Sequence, residues 1–174
     1  MFASMRGLFV LALVATVSAG SASLALAQDV KTIEKFKDWT AYTYEEQGST
    51  VCYMASQPTK EEGNYSVRGD VYAIVSHRPK EGATNVVSFM AGYPFKDKSE
   101  VTVTIDGNTS FTLFTHEENA WAYDEDDARL VAAMRAGGRM VVKGTSTRGT
   151  LTTDTYSLMG FTNAHGAISK ACGQ

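Results

Sequence analysis

From Asp38 to Leu158 the apolar side chains recur mostly at a period of two, and this alternation constrains the fold more than any other feature of the chain. It is the repeat of strands that turn one face to a core. Aromatics at Tyr42 and Tyr44 mark residues 38 to 46 as a half-buried strand, with Val51 to Ser56 as its partner. Between Ser66 and Ser76, Val71, Ala73 and Val75 alternate against Tyr72 and Ile74, so both faces are apolar and the strand belongs inside a sheet. Val86 to Tyr93 is a further apolar strand, ending at Pro94. Val101, Val103 and Ile105 alternate with Thr102 and Thr104, Asp106-Gly107 supplies a tight turn, and Phe111 and Leu113 resume on the return strand. Met140 to Thr147 and Thr150 to Leu158 form a Thr-rich hairpin around Arg148-Gly149. The polar segments Gln57 to Gly63 and His77 to Gly82 read as loops.

The period changes to that of a helix over residues 125 to 136. Asp124 is placed to cap, three further acids fill the first turn, Leu130, Ala133 and Met134 make the apolar stripe, and Gly137-Gly138 ends it. A second short helix follows a Thr162 cap, with Ala164, Ile168, Ala171 and Cys172 on one face. Eight or so strands, one or two short helices and no βαβ alternation predict a mainly-β chain, a single-domain antiparallel β-sandwich or flattened barrel.

The first 27 residues stand apart. Arg6, an apolar run from Leu8 to Val17 and the small residues ending Ala25-Leu26-Ala27 have the layout of a cleaved signal peptide. The run is about ten residues where a bilayer span needs roughly 20. Residues 28 to 174 then form the one folded domain, exported, with no transmembrane segment in the mature chain. A composition of 44% hydrophobic and 20% charged residues excludes disorder. A net charge of −3 without a basic block excludes nucleic acid and an acidic membrane surface as partners. Both cysteines, Cys52 and Cys172, lie in the exported part, where an oxidising compartment predicts a disulfide between them.

No spacing assigns a catalytic, cofactor or metal site. His77, His116 and His165 fall on separate elements, and His116-Glu117-Glu118 has Ala120 where a zinc-protease helix needs its second histidine. The acids from Asp124 to Asp127 lack the alternation of a calcium loop. No serine sits in Gly-x-Ser-x-Gly. Arg68-Gly69-Asp70 leads straight into a predicted strand, whose extended backbone would not present it as an integrin-binding loop tip. Thr145, Thr147, Thr150, Thr152 and Thr155 offer hydroxyls to solvent or sugars. Trp39, Tyr93 and Trp121 are the candidate binding surface.

Many small blocks in order resemble the invasion-associated locus B family. They include Asp38-Trp39, Cys52-Tyr53, Arg78-Pro79, Val87-Ser88-Phe89, Gly92-Tyr93-Pro94-Phe95 and Ile105-Asp106-Gly107. Ala120-Trp121-Ala122, the run from Leu130 to Gly137, Met140 to Ser146, Asp154 to Leu158 with Gly160-Phe161, and Ala171-Cys172 continue the likeness. The resemblance implies a periplasmic or outer-envelope protein of Gram-negative alphaproteobacteria with a β-sandwich-like domain, linked in pathogenic relatives to host-cell invasion. It implies no catalytic residue. The function expected is therefore a non-enzymatic interaction domain whose partner is an envelope or host protein. A small-molecule or glycan module is the second reading, with a hydrolase third.

Overall fold

The computed structural model describes residues 29–174, so the expected signal peptide lies outside the described residues. The strands are β1 (Lys31–Phe36), β2 (Trp39–Glu46), β3 (Ser49–Ser56), β4 (Lys60–Gly63), β5 (Tyr72–Arg78), β6 (Ala83–Met90), β7 (Glu100–Ile105), β8 (Thr109–His116), β9 (Asn119–Trp121), β10 (Arg139–Thr145) and β11 (Leu151–Ser157). Two α-helices, α1 (Asp124–Ala136) and α2 (Phe161–Ala171), and a single 3-10 turn over Pro79–Glu81 complete it. All strand pairs are antiparallel, in one sheet of order β1-β2-β3-β5-β6-β9-β8-β7-β10-β11-β4. The mainly-β antiparallel expectation holds, with β5 inside the sheet between β3 and β6.

The differences have local causes. The edge strands β1 and β4 are nearly all exposed and carry no apolar alternation, so a period-two reading passes over them. Their lysines and glutamates are the residues that discourage edge-to-edge pairing. β5 starts only at Tyr72, because Ser66 to Asp70 is a loop. Asp124 is the first helical residue rather than the cap, and Tyr123 holds the N-cap position without a side-chain bond. Gly160 caps α2, while Thr162 sits inside the helix and donates its hydroxyl to Arg135 O at 3.3 Å.

The sheet rolls around its core. The Trp39 indole N–H on β2 donates to Ser157 O on β11 at 3.0 Å, although these strands lie near opposite ends of the strand order. Asp38 N–H donates to Met159 O at 3.3 Å along the same seam, and the Phe89 and Tyr156 rings meet across the interior at 6.2 Å. The inward-facing set, including Met54, Val75, Val87, Val103, Leu113 and Met140, is fully buried. α2 covers β1, β2, β3 and β5, and α1 lies on β6 and β8. Asp127 on α1 fixes that helix by accepting the Val87 N–H at 2.8 Å. Among the described residues no helix is long and apolar enough to cross a membrane.

Cys52 on β3 is joined to Cys172 at the end of α2, with a sequence separation of 120 and Cα atoms 6.0 Å apart. The bond ties α2 over the curved sheet. A closed loop of this size is worth about 4 to 5 kcal/mol in the chain-entropy model, with less realised in practice. We expect alkylation without reductant to leave the mass of the folded protein unchanged, and two adducts to form after reduction. The double Cys→Ala variant should lose about 2 to 5 kcal/mol in a denaturant titration.

Candidate functional site

A cavity of about 460 Å³ opens where three segments converge: the 64–69 loop, residues 92–94 and the tip of the β10–β11 hairpin. Its floor is Arg68. The guanidinium bonds Asp154 on β11 through two contacts of 2.6 and 2.7 Å, while Nε donates to Ala91 O at 2.7 Å. The Arg68 side chain is 3% exposed and that of Asp154 6%, so this is a desolvated, bidentate ion pair. Burial works against the guanidinium charge, but the hydrogen bonds and negative charge of Asp154 outweigh it and hold the pKa above the ordinary value. The rings of Tyr65 and Tyr93 flank the guanidinium carbon at 5.5 and 5.1 Å.

The walls are equally determined. Tyr93 exchanges a 2.6 Å hydrogen bond with Thr152 Oγ1 and packs edge-on to Phe95 at 5.3 Å. Gly144 makes this possible, because a Cβ there would meet the Phe95 ring at 2.6 Å. Gly69 N–H donates to Gly92 O at 2.9 Å, and Gly92, at φ +69, has no room for a side chain, since its Cβ would fall 2.4 Å from Gly69 O. The hairpin tip is docked by Thr147 N–H on Pro94 O and Lys96 N–H on Thr145 O, both 2.9 Å.

These contacts also correct the reason why Arg68-Gly69-Asp70 is not displayed. The segment is a loop and not an extended strand, and burial of the Arg68 side chain is what withdraws it. The pairing of Arg68 with Asp154 was not anticipated. A signal existed for one partner: Asp154 lies between Thr152 and Tyr156 at an inward-facing position of an alternating strand, where an acid needs a cation. None existed for Arg68.

Of the three aromatics expected at a binding surface, Tyr93 lines the cavity. Trp39 does not belong to any surface: it is fully buried and packs edge-on to Phe161 at 4.9 Å. Trp121 stands on the outer face of β9, half-buried beneath Phe114, with the rings stacked at 5.9 Å. Phe114 and Tyr123, each 40% exposed, meet at 5.2 Å and extend the patch, and His116 borders it at 6.5 Å from Trp121. The patch spans β8, β9 and the N-cap of α1.

His77 and His165 come together, with ring centroids 5.5 Å apart. Asn85 N–H donates to His77 Nδ1 at 3.1 Å, and His77 Nε2 lies 3.1 Å from Ser169 Oγ. His165 Nε2 is 2.7 Å from Asn85 Oδ1. Because Nδ1 accepts, neutral His77 carries its proton on Nε2 and donates to the serine, the reverse of what a general base for Ser169 would require. Among the described residues no group of three or more His, Cys, Asp or Glu is placed to hold a metal ion.

The sequence profile of the invasion associated locus B (IalB) protein family matches residues 39–169. No curated protein matches the chain. Among solved structures, invasion associated protein B from Bartonella henselae superposes with a TM-score of 0.56 at 18% identity, covering 81% of this chain and 96% of that one. The likeness to that structure is one of fold.

Two buried groups give opposite pH dependences. Burial, helped by the charge of His165, lowers the His77 pKa to about 4. Between about pH 6.5 and 4 the unfolded chain binds a proton that the folded chain refuses, so stability falls with acidification through that window. Burial raises the Asp127 pKa to about 6 against its bond from Val87 N–H, and Asp124 and Asp126 add to the rise. Its charge therefore weakens the fold as pH climbs from about 4 to 6. Asp127→Asn keeps an acceptor oxygen for Val87. It should be more stable than the parent by about 1 to 3 kcal/mol at pH 7, and the gap should close below about pH 4 when melting is followed against pH.

Proposed function

Because the chain belongs to the invasion associated locus B family, we propose that it is an exported envelope protein that acts by binding a protein partner and not by turning over a substrate. The observation that carries this reading is the Phe114, Trp121 and Tyr123 patch, an exposed aromatic cluster that no other element of the described chain covers. Aromatic side chains supply large contact area at low entropic cost and are enriched at protein interfaces. The Cys52–Cys172 bond supports an oxidising compartment, periplasmic or outer-envelope, as does the signal-like start of the sequence. Family membership suggests a link to host-cell invasion. A hydrolase is disfavoured by the direction of the His77–Ser169 hydrogen bond. A small-molecule or glycan module remains the second reading, favoured by the cavity beside Tyr93.

A photo-crosslinking residue at Tyr123, expressed in the envelope of the producing bacterium, tests the first reading. It should capture a defined protein that the same residue at Lys35, on the exposed edge strand β1, does not. Phe114→Ala with Tyr123→Ala should cut recovery of that protein about tenfold or more with unchanged melting temperature. Equal capture at both positions, or none, contradicts the reading.

A further inference from the structure

We propose that the cavity floored by Arg68 takes a neutral saccharide. This rests on the second reading above, that the cavity binds a small ligand, and adds the ligand's chemical class.

Charge is the first selector. Arg68 is the buried cation of the site, yet Asp154 pairs with it bidentately, Glu61 lies 3.5 Å from Nη1, Ala91 O holds Nε, and the Tyr65 and Tyr93 rings pack within 5.5 Å of the guanidinium carbon. An incoming anion meets carboxylates already paired with that guanidinium. The remaining charges on the lining are Arg148 and Glu118, both exposed at the rim and opposite in sign. Arg68 and Arg148 are thus offset by Asp154, Glu118 and Glu61, which lies 3.5 Å from Arg68 Nη1, so the cavity offers no excess positive charge to draw an anion.

What it does present is neutral and polar. Asn64, Ser66, Thr147 and Thr150 line the walls, and their hydroxyl and amide groups can each both donate and accept, as the hydroxyls of a sugar require. Tyr65 stands beside them, 36% exposed, with its ring held against Arg68 and a stable surface left for the C–H face of a pyranose. The volume of about 460 Å³ falls within the range of small-ligand sites and admits about one or two sugar rings. The walls are preorganised. The loop is clasped by Arg68, and the hairpin tip is tied by Gly149 N–H to Ser146 O at 2.8 Å and by Thr150 N–H to Ser146 Oγ at 3.2 Å, so little ordering is left for binding to impose.

Titration of the isotope-labelled protein, read by amide chemical shifts, tests this. The probes are maltose, lactose, mannobiose and N,N′-diacetylchitobiose as neutral saccharides, glucuronate and inorganic phosphate as anions, and cyclohexanol as an apolar control. At least one neutral disaccharide should shift the amides of Tyr65, Gly69 and Thr147, and the anions should not. Tyr65→Ala, on an exposed loop position, should weaken that binding about tenfold with the other amides unmoved, and Thr147→Val should weaken it further. No response to any neutral saccharide at about 10 mM overturns the proposal, as does a response that survives Tyr65→Ala unchanged. If anions or cyclohexanol shift these amides and sugars do not, the ligand class is wrong while the cavity is still a binding site. If no probe does, the small-ligand reading falls with it.

Discussion

The buried pair between Arg68 and Asp154 is the interaction on which the working end of the molecule depends. A guanidinium and a carboxylate taken out of water cost several kcal/mol each to desolvate, and only close bidentate geometry with further hydrogen bonds offsets that. Both conditions hold: two contacts under 2.8 Å, and Nε satisfied by Ala91 O. Removing Arg68 would leave the Asp154 charge buried without a cation, at a cost of about 3 to 5 kcal/mol, whereas removing Asp154 would leave Arg68 only the more distant, half-exposed Glu61 at 3.5 Å. The pair joins the paired β5–β6 end, from the loop that precedes β5 and the end of β6, to the middle of β11, which the strand order alone keeps apart from them. The cavity floor, the close approach of Gly69 to Gly92 and the withdrawal of Arg68-Gly69-Asp70 from the surface all follow from it.

The opposite end of the sheet is held differently. There α2 is anchored covalently through Cys172 and by packing of Phe161, Ala164 and Ile168, while its His165 and Ser169 and the strand residues His77 and Asn85 satisfy one another where it meets the sheet. Those side chains resemble catalytic equipment by composition only. Their hydrogen-bond directions make them a structural network, with His77 kept neutral by burial. Chemistry-bearing residues at one end serve stability, and the surfaces suited to recognition, the cavity and the outer aromatic patch, lie on other elements.

Much of the scaffold was legible because amphipathic strands advertise themselves. The β7–β8 hairpin around Asp106-Gly107, the interior strand β5 and the helix after Tyr123 each follow from period and turn chemistry. The edge strands escaped because Lys31 to Phe36 and Lys60 to Gly63 bury almost nothing, and a pairing made by backbone alone leaves no side-chain period. Trp39 misled because a tryptophan with a polar N–H suits a surface as well as a core, and only the partner carbonyl at Ser157, 118 residues away, decides the matter. The same applies to the cavity. Tyr93 and Thr152 touch across 59 residues of sequence, and Arg68 finds Asp154 across 86, distances that no local pattern encodes.

Native-state hydrogen exchange on the parent protein and Asp154→Asn tests the central role of the Arg68 clasp most directly. The account predicts that the hydrogen-bonded amides of Gly69 and Ala91 lose protection in the variant, while those of Cys52, His77 and Ile168, at the disulfide-bonded end, keep theirs. Unchanged exchange of Gly69 and Ala91, or an equal loss of protection at both ends of the sheet, would contradict it.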